Sequence, residues 1–254
     1  MQKRRDYSFV YTLLPALLLA SPVQAVELRI ISPGIVYNAA LSELVDDYNK
    51  KSGNTVLIVR ATMDKLIDQA KTDIPAADVV GLPADLMNTL YLDGGIVGAT
   101  YTPLGRGELA LAVKKGAPKP DISTVAKLAQ VLKTAQAVMV NDPKGGTMQG
   151  VMIDGILKRP EFAGVHVVPS TRGEGAAALA RGEGDMAVQL VQEILNKPEI
   201  DVVAPLPVEL GGHMDAILAV SSRSAHPKEA AEFIKFLTRP EAKTAWASKG
   251  MKPF

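Results

Sequence analysis

A strand, a glycine turn and the start of a helix follow one another in the middle of the chain, in a pattern typical of anion sites. Segment 137–150 begins with apolar residues and continues through Asn141 to the pair Gly145-Gly146 and Thr147. Adjacent glycines let the backbone approach a ligand closely, and the free N–H groups at a helix start carry partial positive charge. We therefore expect Gly145, Gly146 and Thr147 to contact a bound anion.

Three arginines stand at predicted strand ends or crossing turns, namely Arg60, Arg106 and Arg172. A guanidinium group matches a carboxylate with two parallel hydrogen bonds. If the three side chains face one cleft, they favour an organic di- or tricarboxylate over a small inorganic oxyanion. The alternative is that each arginine is a solvated surface charge, as most arginines are.

Other chemistries find little support in the sequence. There are no cysteines and three dispersed histidines without paired ligand spacing, so we expect no metal site and no cofactor. Lys144 precedes Gly145, but the residue order is not that of a phosphate-binding P-loop. No nucleophile elbow of the Gly-x-Ser-x-Gly type occurs either.

The first 25 residues have the pattern of a secretory signal peptide. Lys3, Arg4 and Arg5 precede a short apolar run, and small residues end at Ala25, where we expect cleavage. The whole chain carries 28 basic and 27 acidic residues, a balance that argues against nucleic-acid binding. No later stretch is apolar enough for membrane insertion. We expect an exported periplasmic protein that is a monomer.

The alternation of strands and helices predicts an α/β fold with parallel sheets. Strand, turn and helix recur from residue 28, and the cycle restarts near residue 123 after an apolar strand at 109–113. We predict two doubly wound lobes joined by two crossover strands, with the ligand cleft between them. Lobe 1 comprises 26–105 and 210–254, and lobe 2 comprises 106–209.

Fragments spread over the mature chain resemble one family. Ala76-Ala77-Asp78-Val79-Val80 is similar to a strand written PADLFISAD in that family, and Asn141-Asp142-Pro143 is similar to its GDP turn. Further fragments lie at 28–34, 48–53 and 227–237. Their order resembles the periplasmic solute-binding proteins of type II, and within them the molybdate-binding group of ABC transporters.

The resemblance implies two lobes that close on a small anion and deliver it to an ABC permease. The family's first anion-binding hydroxyl falls on Ser32, two residues before Gly34, and its second falls on Thr62. The family's third-loop backbone contact falls within 145–147. Where the molybdate binders have a tyrosine, this chain has Leu190, with Gln189 beside it.

Three functions follow from these observations. The favoured one is a periplasmic binding protein that captures an organic di- or tricarboxylate for an ABC transporter. The second is a periplasmic aconitate isomerase, since some proteins resembling the molybdate-binding group interconvert cis- and trans-aconitate; its base would be His213, Glu174 or Lys144. The third is a molybdate- or tungstate-binding protein.

Overall fold

The structure is a computed structural model that describes residues 25–60, 63–145 and 147–254. The predicted signal peptide, Thr62 and Gly146 lie outside the described residues. The strands are β1 (Glu27–Ser32), β2 (Thr55–Arg60), β3 (Val79–Pro83), β4 (Thr102–Lys114), β5 (Val138–Asn141), β6 (Val167–Ser170), β7 (Met186–Leu190), β8 (Ile200–Pro205), β9 (His213–Val220) and β10 (Met251–Pro253).

Helices connect most of the parallel strands. They are α1 (Gly34–Val36), α2 (Ser42–Ser52), α3 (Met63–Thr72), α4 (Ala84–Leu92), α5 (Val125–Thr134), α6 (Met148–Leu157), α7 (Gly175–Ala180), α8 (Val191–Leu195), α9 (Pro227–Thr238) and α10 (Pro240–Ser248). A π-helical segment, Tyr37–Leu41, joins α1 to α2. None of the described helices is both long and apolar enough to cross a membrane.

The strands form two halves that share β4. In the first half the order is β2-β1-β3-β9-β4, with β1, β2 and β3 parallel. In the second half the order is β4-β7-β5-β6, with β5, β6 and β7 parallel, and β8 also pairs with β4. This arrangement confirms the predicted α/β fold.

Strand β4 is the first crossing between the halves. Its residues from Thr102 to Glu108 pair with β9, and those from Leu109 to Val113 pair with β7. The returning chain flanks the same point, since Leu206 N donates to Leu109 O at 2.8 Å and Leu109 N donates to Gly212 O at 2.7 Å. The division into 26–105 with 210–254 and 106–209 stays a prediction.

The predicted strand at 109–113 is too short, because the structure starts β4 at Thr102. The sequence pattern predicts a turn at the glycines on either side of Arg106. They lie instead within the strand, where neighbours leave no room for a side chain: a Cβ on Gly105 would lie 2.8 Å from Lys252 O, and one on Gly107 would lie 2.8 Å from Gln192 Nε2.

The spacing of Leu41, Leu44, Val45 and Tyr48 predicts a helix over 38–51, and the structure differs from this prediction. Helical backbone begins at Gly34 and passes through the π-helical segment, where Ala39 departs from helical geometry with ψ −137°. π-Helical turns occur frequently at functional sites. Here the irregular turn carries Tyr37 and Asn38 beside the second half of the molecule.

Candidate functional site

Loops from both halves meet beside the crossing. The first half contributes the turn after β1, the π-helical segment and the end of β2; the second contributes the loops after β5 and β6 and helix α8. Hydrogen bonds join the halves here, since Gln192 Nε2 donates to Ile35 O at 3.2 Å and Asn196 Nδ2 donates to Asn38 O at 2.8 Å. In open α/β sheets, ligands bind beyond the carboxyl ends of the strands, which is where these loops lie.

A polar cavity of about 350 Å³ lies at the ends of β5 and β6. Side chains fix the loops around it, because Asn141 Oδ1 accepts the N–H of Gly175 at 2.9 Å and Thr147 Oγ1 accepts that of Gly150 at 3.2 Å. The cavity is large enough for a small organic acid. Its lining residues are Asn141, Asp142, Gly145, Thr147, Ser170, Thr171, Gly173 and Glu174.

Glu193 is a buried carboxyl between the two halves, with 2% of its surface exposed. Asn38 Nδ2 from the first half donates to its Oε1 at 3.3 Å, and Gln149 Nε2 donates to the same atom at 3.1 Å. Gln189 Nε2 donates to Oε2. Burial, reinforced by the nearby charge of Glu174, raises the pKa of Glu193 to about 8 despite these donors.

Glu174, Tyr37 and Arg60 complete the group of ionisable residues. Burial raises the pKa of Glu174, and the positive charge of Lys197 opposes that shift. Burial also raises the pKa of Tyr37, followed by the charges of Glu174 and Glu193, whereas Arg60 lowers it. The Arg60 guanidinium carbon lies 4.8 Å from the centroid of the Tyr37 ring. Arg60 therefore acts on Tyr37, which also feels the charges of both carboxyls.

Gly34 gives these side chains room to approach one another. A Cβ at this position would lie 3.0 Å from Asn38 Nδ2, 3.2 Å from Glu193 Oε1 and 3.7 Å from the Tyr37 hydroxyl. The absence of a side chain is therefore what lets the turn after β1 lie against the carboxyl of the other half.

Several predicted site residues lie in this region. Gly145 and Thr147 line the polar cavity, Arg60 lies against Tyr37, and Gln189 contacts Glu193. Ser32 is fully buried at the end of β1, where its Oγ donates to Pro33 O at 3.2 Å. All of these contacts are within the protein, so the role of these residues in binding a ligand stays a prediction.

The other two arginines are occupied by acidic partners. Arg106 makes two hydrogen bonds to Asp215, from Nε at 2.6 Å and from Nη2 at 2.9 Å. The Arg172 side chain is 75% exposed, and its Nη2 lies 3.4 Å from Glu183 Oε1. The structure thus brings Arg60 to the carboxyl cluster and does not bring Arg106 and Arg172 there.

The three residues predicted as bases lie in different parts of the structure. Glu174 lines the polar cavity, whereas Lys144 is exposed on the loop after β5. His213 lies in β9 opposite Glu108, where its charge acts on Asp215. Of the three, Glu174 alone belongs to the cluster described above.

Sequence reasoning missed Tyr37, Asn38, Gln149 and Glu193 as site residues. A signal for Glu193 was present, because it follows the apolar strand β7 and lies between Gln192 and Ile194 in a short buried helix. A charged residue in such a run has to be paired or neutral. Tyr37 precedes the helix predicted over 38–51 and Asn38 begins it, and neither carries a comparable signal in the sequence.

The cluster combines groups that bind carboxylates with groups that exchange protons. Arg60 and the amide donors can hold negatively charged oxygens, and carboxyls with raised pKa values are suited to general acid and base catalysis. No group of three or more metal-ligating side chains occurs among the residues that the structure describes.

The sequence model of a family described as bacterial extracellular solute-binding protein matches residues 29–252. The chain belongs to this family. An aconitate isomerase from Pseudomonas sp is 29% identical over 252 residues, which cover 94% of this chain and 95% of that protein. This chain therefore matches, over nearly the full length of both proteins, a relative that is named as an enzyme.

Solved structures support the same fold. A substrate-binding domain from Clostridium difficile, described as belonging to a molybdenum ABC transporter, has a TM-score of 0.74 at 16% identity, over 91% of this chain and all of that one. The periplasmic molybdate-binding protein of Azotobacter vinelandii has a TM-score of 0.69 at 14% identity, over 88% and 98%. At these identities the likeness concerns the fold alone, which is that of the two-lobe solute-binding proteins.

Proposed function

We propose that the chain is an aconitate isomerase that binds its tricarboxylate substrate between the two halves of the molecule. The observation that carries this proposal is Glu174, a partly buried carboxyl with a raised pKa on the wall of a polar cavity. The similarity to the Pseudomonas sp enzyme over nearly the whole of both chains supports it. It reverses the order of preference from the sequence alone, which favoured a binding protein.

The reaction requires one proton to move between two carbons. The Glu174 carboxylate removes a proton from the methylene carbon of aconitate, and the electron pair of that C–H bond spreads over the adjacent double bond and carboxylates. Glu174 then returns a proton to the former vinylic carbon, so the double bond shifts and can form in the other geometry. The protein ends in its starting state, and no co-reactant is consumed.

Arg60 and the surrounding amides stabilise the charged intermediate. A carbon acid next to a carboxylate is weak, so its anion must be stabilised by donors that are already in place. Arg60 lies against Tyr37 of the cluster, and the cavity adds the Asn141 and Thr147 side chains. We assign Arg60 to a substrate carboxylate, together with Gly34, Gly145 and Thr147.

The predicted signal peptide and the family support a periplasmic location. The leader would be removed after Ala25, and a periplasmic enzyme of this kind would act on aconitate outside the cytoplasm. Ser32, Thr62, Gly146 and Gln189 are retained as proposed ligand contacts from the sequence.

A second candidate function is binding without chemistry, with delivery of the anion to an ABC permease. The family and the hydrogen bonds between the halves favour it, because closure of two lobes on a ligand is how a binding protein signals occupancy. The likeness to molybdate-binding proteins concerns the fold alone and does not specify molybdate as the anion.

Conversion of cis-aconitate in D₂O decides between the candidates. We expect trans-aconitate to appear and to carry deuterium at the carbon that receives the proton, as observed by proton NMR spectroscopy. Tight binding of cis-aconitate without any trans isomer at high protein concentration would support the transport function instead. Displacement of bound tricarballylate, the saturated tricarboxylate, by molybdate would indicate the third function.

Two arginine variants test which guanidinium group contacts the substrate. Arg60→Gln should raise the KM for aconitate by about 10- to 100-fold, because a charge-assisted hydrogen bond contributes about 1.5–3 kcal/mol. Arg172→Gln, on the exposed loop, should leave KM within about twofold of wild type. Steady-state kinetics of both variants provide the comparison, and an equal effect of the two substitutions would contradict the assignment.

A further inference from the structure

We propose that Glu193 is a positioning residue that sets the charge of the ligand accepted by the cleft: neutral, it admits a tricarboxylate beside Glu174, and ionised, it excludes that ligand. This inference rests on the proposed function, whose substrate is a tricarboxylate. It adds a role for a residue that the proton transfer itself does not use.

The contacts of Glu193 are those of a neutral carboxyl held by amides. Among the described residues, the groups acting on it are the Asn38, Gln149 and Gln189 amides and the Glu174 carboxyl, and no cation is among them. A buried carboxylate without a cation is costly, whereas a neutral carboxyl held by hydrogen bonds is not. A neutral carboxyl also needs an acceptor for its proton. The Gln189 amide already contacts Glu193, and its Oε1 is buried without a hydrogen-bond partner in the part of the chain that the structure describes.

The position of Glu193 lets its charge affect both halves. It belongs to α8 in the second half, and Asn38, which donates to it, belongs to the π-helical segment of the first. The Asn38 backbone carbonyl accepts from Asn196, one residue beyond α8. Asn38 is thus held at two points by the same short segment, so the charge of Glu193 acts on the contact that joins the halves.

The charged groups around Glu193 determine its response to pH. Glu174 raises the pKa of Glu193, Lys197 acts on Glu174, and Arg60 acts on Tyr37. Charges on the strands packed against α8 have other partners: Arg106 of β4 pairs with Asp215, and Asp201 of β8 pairs with Lys115. Among the described residues, Glu174 is therefore the charged group that acts on Glu193, and a bound anion would add to its effect.

Ligand binding should consequently take up a proton near and above pH 8. Below the raised pKa, Glu193 is already neutral and affinity does not depend on pH through this group. As pH rises through about 8, the free protein ionises Glu193, and binding a trianion requires that it be protonated again. KM should rise about tenfold for each pH unit above the pKa, whereas a neutral glutamine at this position removes the dependence.

The test compares wild type with Glu193→Gln, and uses Glu199→Gln on the exposed loop after α8 as a matched control. We expect KM for aconitate to rise by at least tenfold from pH 7 to pH 9.5 in wild type and in the control, and to stay level in Glu193→Gln, with kcat changed by less than about threefold. A parallel rise of KM in all three proteins would overturn the inference.

Two measurements that do not depend on turnover separate this inference from the proposed activity. Calorimetric titration with tricarballylate at pH 8.5, in Tris and in phosphate, should show proton uptake in wild type and none in Glu193→Gln. The melting temperature of wild type should also fall relative to that of Glu193→Gln as pH rises from about 5 to 8. In this range the Glu193 carboxyl ionises in the unfolded protein but not in the folded protein. Proton uptake without isomerisation refutes the activity alone; parallel melting curves, or no binding of tricarballylate, refute the inference.

Discussion

Replacing Glu174 by glutamine should lower kcat for aconitate isomerisation by about 10²- to 10⁴-fold, the usual contribution of a general acid or base. Glutamine keeps the shape and hydrogen-bonding ends of the side chain but cannot accept a proton from carbon. Glu174 precedes α7 with an extended backbone, and its side chain makes no capping hydrogen bond. The substitution therefore leaves the helix start intact and removes the base.

The measurement is the initial rate of trans-aconitate formation at saturating substrate, with tricarballylate affinity determined in parallel. Affinity should be unchanged or higher, because one negative charge has left the cavity wall. Glu183→Gln, on the surface near Arg172 and Arg181, is the control and should keep full activity. A wild-type kcat in the Glu174→Gln protein would mean that another residue is the base.

Patterns along the chain were sufficient to predict the frame of the site. The alternation of strands and helices predicts the parallel sheets, and in such sheets the strand ends form one ligand-binding edge. Gly145 and Thr147 lie in the turn after β5, and Arg60 is the last residue of β2, so their placement near the cleft depends on local sequence alone. The glycines around Arg106 had the same appearance, yet they lie within a strand because β10 packs closely against it.

The partners of the charged side chains could not be predicted in the same way. Arg106 pairs with Asp215, 109 residues away, and Asn38 donates to Glu193, 155 residues away. Neither separation follows from the period of a helix or a strand. Only the folded chain therefore shows which arginine has an acidic partner and which carboxyl is buried. The identity of the base depends on that information, because His213, Glu174 and Lys144 differ in surroundings more than in sequence signal.

Replacing Gly175 by alanine should destabilise the protein by about 3 kcal/mol, the upper range for overpacking a core. A Cβ at this position would lie 2.7 Å from Val140 Cα and 2.9 Å from Met139 O. Both atoms belong to the backbone of β5 in the middle of the second half, so neither can move aside without displacing the strand. The first turn of α7 would have to shift away from the sheet.

Urea unfolding measures this effect, and Gly155→Ala is the matched control. Gly155 is an exposed residue of α6, and a Cβ there would meet nothing within 4 Å. Alanine should stabilise that helix by up to about 1 kcal/mol. Equal unfolding midpoints for the two variants would mean that α7 does not pack on β5 as tightly as the structure shows.

The same substitution should also reduce activity in the fraction that stays folded. Asn141 Oδ1 accepts the Gly175 N–H, and Glu174 is the preceding residue, so a shift of α7 moves the base and its support together. A displacement of about 1 Å at a reacting group costs on the order of 100-fold in rate. Loss of kcat at a temperature where circular dichroism shows Gly175→Ala to be folded would therefore link the packing of one glycine to the position of the carboxyl.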